Sequence, residues 1–252
     1  MDTRKTTIIE MLKNGQTVHV RDLAERFGVS GMTIRRDFDE LQERGLLVRT
    51  HGGAVSTGRL RFMQSAMPDF EVSREKMAIG KLAASLVKPG QTIMVDTGTT
   101  ALEVARNLRQ DSSITVVTTS LSVAQDLYRS DINILLLGGF LRKEFPSVYG
   151  PLTEKILDDI QVDVLFIGCD GAHSSDGFYS NDLHISSFEQ AMMRIADRVV
   201  VVAESIKFGR RAFARYATAQ EVGVLVTDSH ILPEDRTNLE EHGVVVMTAA
   251  EE

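Results

Sequence analysis

The chain has 252 residues, 43% hydrophobic and 25% charged, with one Cys, no Trp and a formal charge of −7. That mix excludes a disordered chain, a collagen repeat and a disulfide scaffold, and the length accommodates a large domain with or without a small one, at roughly 100 to 200 residues each. Cys169 has no partner for an internal disulfide, no apolar signal core follows Met1 to Lys5, and runs such as Val199 to Ala203 fall far short of the ~20 residues that cross a bilayer, so the cytoplasm is the expected compartment and no membrane partner is expected.

Charge is uneven along the chain. Residues 1–60 carry 10 Lys and Arg against 8 Asp and Glu, a net of +2 that leaves −9 for the remainder. Cations gathered in one segment of an acidic protein hint at nucleic-acid contact there, although ordinary scatter of surface charge accounts for the numbers equally well.

In chain order, Ile8, Ile9, Met11 and Leu12 share a helical stripe over residues 4–13, and Asn14-Gly15 supplies a stop. Leu23, Ala24 and Phe27 predict a second helix over 21–27. Gly28-Val29-Ser30 is the turn, with Ser30 placed as N-cap of a third helix over 32–43 and Gly45 as its stop. Ile34, Phe38 and Leu41 repeat at i, i+4, i+7 and make the buried face of that helix. Its other face carries Thr33, Arg35 and Arg36 in the first two turns, where a recognition helix meets base edges and phosphates. Leu46 to Ala54 then reads as a short strand, with Arg49 and His51 alternating outward before a Gly-Gly turn, a β-wing. The same pattern also fits a generic three-helix unit with solvated arginines.

The string SGMTIRRDF at 30–38, with Leu23-Ala24 before it and Arg49-Thr50-His51-Gly52-Gly53-Ala54 after it, resembles the helix-turn-helix signature of the DeoR family of bacterial transcriptional regulators. The resemblance implies Thr33, Arg35 and Arg36 in the groove, with Ser30 at the head of their helix, and Arg49, Thr50 and His51 on the DNA backbone or minor groove.

Residues 55–74 mix Ser, Gly, Pro and charge without a sustained period, as a linker does. Beyond them, seven β-branched runs alternate with helical patterns: 92–96, 114–119, 134–138, 162–168, 199–203, 222–227 and 244–248. Nearly continuous apolar strands predict a parallel sheet covered on both faces, with ligands outside the carboxyl ends of its strands. Those ends carry Asp96-Thr97-Gly98-Thr99-Thr100, Thr119-Ser120, Gly138-Gly139, Asp170 and Lys207. The first is a candidate phosphate cradle at a helix N-terminus, or simply a capped helix start. It has neither a dinucleotide fingerprint nor a Walker loop. The scattered His51, His173 and His184 suggest no metal, and no cofactor is expected.

Lys76 to Leu108 resembles the start of ribose-5-phosphate isomerase, an enzyme to which DeoR-type sensor domains are related. The likeness continues at Asp170-Gly171-Ala172, Glu189, Ile195-Ala196-Asp197, and Ser205 with Lys207. It implies a phosphorylated sugar whose phosphate group is held by Lys76, Thr99 and Thr100, with Asp170 and Glu189 on sugar hydroxyls; a purely structural Glu189 is the alternative. The chain also departs from the isomerase. His173 replaces the second aspartate of its Asp-Gly-Ala-Asp motif, and residues 156–206 contain no Lys. Without that acid/base and a cation to steady an enediolate, binding without turnover is expected.

The expected fold class is α/β: a winged helix-turn-helix at 1–56, a linker at 57–74 and a mostly parallel α/β sensor domain at 75–252. The expected function is repression of a sugar-catabolism operon under control of a phosphorylated sugar, not catalysis. The alternative is an isomerase-like enzyme with an accessory DNA-binding head. Operator DNA is the expected partner, bound by a homodimer or homotetramer, since one recognition helix makes too few base contacts.

Overall fold

The computed structural model describes residues 3–13, 18–43, 46–50, 53–56, 72–108, 113–142 and 145–250. The chain divides into two compact units, Met1–Asp69 and Phe70–Glu252.

In the first unit α1 (Thr3–Lys13) is followed by β1 (Val18–His19), α2 (Val20–Phe27), α3 (Gly31–Glu43), β2 (Leu47–Thr50) and β3 (Gly53–Ser56). Gly28 ends α2 in the left-handed region at φ +62°, and its N–H donates to the Ala24 and Glu25 carbonyls. Ser30 opens α3 as expected, its Oγ accepting from the Thr33 N–H at 3.2 Å. Ile34, Phe38 and Leu41 are wholly buried with Ile8, Leu12 and Leu23. The Arg4 guanidinium forks onto the buried Asp37 carboxylate at 2.5 and 3.1 Å, tying α1 to α3.

The wing holds more than the predicted strand and turn. β3 pairs antiparallel with β2 on one side and β1 on the other, giving the order β1-β3-β2. Val18, just ahead of the expected second helix, is therefore sheet. Gly53 permits the closure, because a Cβ there would lie 2.3 Å from the Val18 carbonyl oxygen. Val55 and Ser56, in the stretch that lacked a period, extend β3. The stops expected at Asn14-Gly15 and Gly45, the turn residue Gly52, and residues 57–71 of the expected linker lie outside the described residues.

The second unit opens with α4 (Arg74–Ala84), capped by Ser73, so the last residue of the expected linker is already helical. In chain order there follow β4 (Thr92–Val95), α5 (Thr99–Leu108), β5 (Thr115–Thr118), α6 (Leu121–Leu127), β6 (Asn133–Leu136), β7 (Phe140–Arg142), β8 (Ser147–Tyr149), α7 (Pro151–Leu157), β9 (Val162–Ile167), β10 (Gly171–His173) and β11 (Gly177–Ser180). The chain continues through α8 (Leu183–Arg194), β12 (Ala196–Val202), a 3-10 turn (Ser205–Lys207), β13 (Ala214–Ala217), β14 (Val224–Asp228), α9 (Pro233–Glu241) and β15 (Val245–Ala249).

All seven predicted strands enter one parallel sheet of order β15-β14-β12-β9-β4-β5-β6. Their side chains alternate between two cores. Ile93, Val95, Phe166 and Val200 face α4 to α6, while Met94, Leu165 and Val201 face Phe178, Phe188 and Met192. Burial on both faces explains why the strands read as unbroken apolar runs. Gly80 lets α4 and α5 close on each other, since a Cβ there would lie 2.4 Å from Glu103 Cβ. The β7–β8 hairpin and the antiparallel sheet β10-β11-β13 were not expected. Their strands are short and lie between the main-sheet strands, where they pass for loop.

From β4 the chain builds outward through β5 and β6, then returns to lay β9 on the other flank of β4. The loops after β4 and β9 diverge at that reversal, and a crevice opens between them.

Candidate DNA-reading face and strand-end cleft

The first two turns of α3 present Arg35 and Arg36 to solvent, with Met32 equally open between Gly31 and Thr33. Neither arginine enters an ion pair among the described residues, although Arg4 and Lys5 of α1 are committed to Asp37 and Glu40. Thr33 Oγ1 lies 2.9 Å from Ser30 Oγ, so both hydroxyls sit at the start of α3. For Arg49 and Thr50 only the strand backbone is described, and His51 lies outside the described residues. A winged helix-turn-helix with an exposed recognition helix is thus assembled on a core of α1, α2 and α3.

In the second unit the crevice is a cleft of about 290 Å³. Lys76 enters it from α4. The β4 loop contributes Asp96, Gly98, Thr99 and Thr100, the β9 loop Asp170, α8 Glu189, and the turn after β12 Lys207. Leu102 N–H donates to the Gly98 carbonyl at 3.0 Å, so the amides of Thr99, Thr100 and Ala101 precede the helical ladder and have no acceptor within it. Those amides and two hydroxyls make the N-terminus of α5 a donor-rich, electropositive wall.

Facing this wall are carboxyls in an unusual state. Burial pushes Glu189 up to about 9, helped by the neighbouring Asp96 and Asp170 charges, against a hydrogen bond from Ser180 and the pull of Arg142. Its Oε2 is buried without a hydrogen-bond partner among the described residues. At neutral pH the group therefore keeps its proton and can donate. Burial also raises Asp96 to about 6, opposed by hydrogen bonds from Thr97 and by the Arg142 charge. Asp170 is held in place by the Asn181 N–H, which donates to its Oδ2 at 2.8 Å. Lys76 Nζ lies 3.4 Å from Glu204 Oε2, whose other oxygen accepts from Ser73 at 2.7 Å. Cys169 is no nucleophile here, because burial drives its thiol up to about 12.

Eight of the expected residues thus meet in one cleft: Lys76, Asp96, Gly98, Thr99, Thr100, Asp170, Glu189 and Lys207. Thr119, Ser120, Gly138 and Gly139 do not line it. Thr119 and Ser120 are buried; the Thr119 carbonyl accepts from Val148 N–H and Ser120 Oγ caps α6 through Val123 N–H. The Gly138 carbonyl accepts from Thr153 Oγ1, and a Cβ on Gly139 would lie 2.5 Å from the Tyr149 carbonyl oxygen. These four join β5 and β6 to the β7–β8 hairpin and α7, so being at a strand end did not make them ligand groups. His173 likewise points elsewhere, toward Ser175 and Asp176.

The sequence reading missed Arg142, which β7 carries to the cleft mouth and stacks over Phe145 at 4.8 Å; Glu204, in the same strand-end loop as Lys207, lines the cleft as the partner of Lys76. Nothing local marks Arg142. Only the hairpin's return toward β5, through Val148 N–H to Thr119 O, puts it there.

A winged helix-turn-helix unit joined in one chain to an α/β unit with a polar strand-end cleft is the architecture of a transcriptional regulator. Residues 4–59 match the DeoR-like helix-turn-helix domain and residues 71–229 the DeoR C terminal sensor domain. The chain belongs to the DeoR family and is a DNA-binding transcriptional regulator. It is 34% identical over 248 residues to the HTH-type transcriptional regulator GlpR of Haloferax volcanii, covering 97% of this chain and 96% of that one. It is 31% identical to the glycerol-3-phosphate regulon repressor of Escherichia coli, covering 90% of each. Among solved structures, ribose 5 phosphate isomerase A from Neisseria gonorrhoeae is similar at 17% identity and a TM-score of 0.40, over 54% of this chain and 53% of that one. Among the described residues, no helix is long and apolar enough to cross a membrane.

Proposed function

We propose that the protein represses a sugar-catabolism operon and that a phosphorylated sugar in the strand-end cleft lowers its affinity for operator DNA. The observation that carries this is the division of the cleft. The amides and hydroxyls at the start of α5, with Lys207 and Arg142, suit a phosphate, while Asp96, Asp170 and the protonated Glu189 offer both acceptors and a donor to sugar hydroxyls. A phosphate brings negative charge to Lys76, which already neutralises Glu204, so the phosphate end belongs nearer Arg142 and Lys207. Control of DNA binding is then linkage: a ligand and an operator that favour different states of the protein weaken each other by the same factor. DNA contact is assigned to Ser30, Thr33, Arg35, Arg36, Arg49, Thr50 and His51. The head is assigned to 1–56 and the sensor to 75–252.

The test is a thermal-shift screen against phosphorylated sugars and their unphosphorylated parents, followed by operator release and a turnover assay with each hit. A ligand of the folded state raises apparent stability by RT ln(1 + [L]/Kd). A shift that requires the phosphate, releases DNA and yields no product is expected. Thr99→Ala with Thr100→Ala should keep operator binding and lose release. Turnover of the hit would replace the repressor reading with the isomerase-like one, and a shift without effect on DNA would remove the regulatory part.

A further inference from the structure

We infer that the sheet edge formed by β6, with the β7–β8 hairpin and α7 beside it, is the surface on which two copies of this chain associate. Sixteen large apolar side chains stand exposed among the described residues, and nine of them fall between residues 128 and 156. The other described residues of the second unit, a far longer stretch of chain, expose only six and place most of their apolar residues in the two cores that flank the sheet.

β6 pairs with β5 alone, so its outer row of amides and carbonyls has no strand partner among the described residues. Natural sheets protect such an edge with charge, proline or a bulge. This one reads Asn-Ile-Leu-Leu, with Leu135 and Leu136 each 43% exposed on opposite faces. The opposite edge of the sheet, β15, exposes only Val245 among its large apolar residues. Beside β6, Phe140 of β7 lies against Gly150, where a Cβ would come within 3.1 Å of its ring, so the hairpin and the start of α7 form one surface. Leu152 on α7 adds to it, 66% exposed.

A second copy is the occupant that fits. On β6, the two hairpin strands and the start of α7, the exposures of Leu135, Leu136, Phe140, Leu141, Tyr149 and Leu152 together equal about three wholly open large side chains. That is on the order of 500 Å² of apolar area, the apolar share expected of the roughly 800 Å² that each partner contributes to a stable interface. Charge points the same way: residues 61–252 carry −9, yet 128–156 hold four basic and three acidic residues, so this is a face on which two such units can meet without mutual repulsion. An open strand edge is also self-complementary about a two-fold axis when it pairs antiparallel with its own copy. The same hairpin carries Arg142 and Phe145 into the cleft, which makes the interface contiguous with the proposed ligand site. The association does not depend on what the cleft binds.

Sedimentation velocity of the full chain at micromolar concentration tests this. The parent should sediment as a dimer or a multiple of one, and Leu135→Lys with Leu152→Glu should reduce it to single chains while far-UV circular dichroism is unchanged. Val245→Lys, on the opposite edge, should assemble like the parent. A monomeric parent, a folded Leu135→Lys with Leu152→Glu variant that assembles normally, or loss of assembly in Val245→Lys overturns the proposal. Should the double variant fail to fold, crosslinking decides: Leu136→Cys should yield a bismaleimide-linked dimer and Val245→Cys should not. Equal crosslinking of both, or none at Leu136→Cys, also overturns it.

Discussion

The residues assigned to DNA contact and those proposed to hold a ligand lie in opposite environments. On α3 the polar face is bare: Arg35 and Arg36 stand in solvent on a helix whose other side, Ile34, Phe38 and Leu41, holds the fold together. In the second unit the titratable groups of the cleft are half-buried or buried, drawn from four strand ends and two helices, and burial raises the proton affinities of Asp96 and Glu189. A surface that reads a long, wide, charged partner must stay open and keep its cations ionised. A cleft that selects a small polar molecule gains by enclosing it, at the cost of burying carboxyls that would otherwise ionise. Recognition by exposure leaves stability to the opposite face of the same helix, whereas recognition by enclosure places the site's own groups in conflict with stability.

That contrast can be broken first at the core of the head. Phe38→Ala removes a wholly buried ring from a small core, and such changes cost about 3–5 kcal/mol, most of what a unit of this size holds. Calorimetry should show the transition of the first unit lost or shifted far down while that of the second stays in place. A common shift of both would show that the units unfold as one. Next comes the conflict within the cleft. Because burial raises Glu189 to about 9, the folded chain keeps a proton that the unfolded chain releases near 4.5. The resulting stability is full at acidic pH and is lost as pH rises through about 9. Glu189→Gln, neutral at every pH, should flatten that decline and raise the melting temperature by several degrees at alkaline pH; an unchanged slope would show that the carboxyl ionises freely.

Two substitutions then separate the recognition modes. Arg142→Ala should weaken the phosphorylated ligand about 10- to 100-fold, as expected for losing a charged hydrogen bond, and leave operator affinity without ligand unchanged. Titration calorimetry and fluorescence anisotropy measure the two, and an intact ligand affinity would remove Arg142 from the site. Arg36→Ala should cost about 1–3 kcal/mol in operator binding if it pairs with a base, or reduce the salt slope by about one if it neutralises a phosphate. The melting temperature should not move in either case. A variant with parental DNA affinity at every salt concentration would move the reading face elsewhere.

How much of this was legible follows from the range over which each feature is encoded. The stripe Ile34, Phe38 and Leu41 and the cap Ser30 fix α3 within one helix, so the exposure of Arg35 and Arg36 follows from the register alone. The seven apolar runs gave the parallel sheet because burial on both faces suppresses polar alternation. Thr99, Thr100 and Asp96 were found because a strand end and a helix start adjoin in sequence. Thr119 and Ser120 looked the same locally and are structural, since the strand that covers them, β8, lies far along the chain. The pairing of Glu204 was hidden for the same reason, its partners Ser73 and Lys76 lying at the start of α4.

The sequence by itself determined the helices of the head, the turn at Gly28, the wing strand, the seven sheet strands and the amide wall at the start of α5. Each is set by side chains within a few residues of one another. Tertiary structure alone decided that β1 closes the wing, that the chain reverses beside β4 to open the cleft, that Arg142 reaches its mouth and that Glu189 keeps its proton. Those features depend on which strands become neighbours and on the dielectric that packing creates. Both are properties of the assembled layers, with no local pattern of residues to announce them.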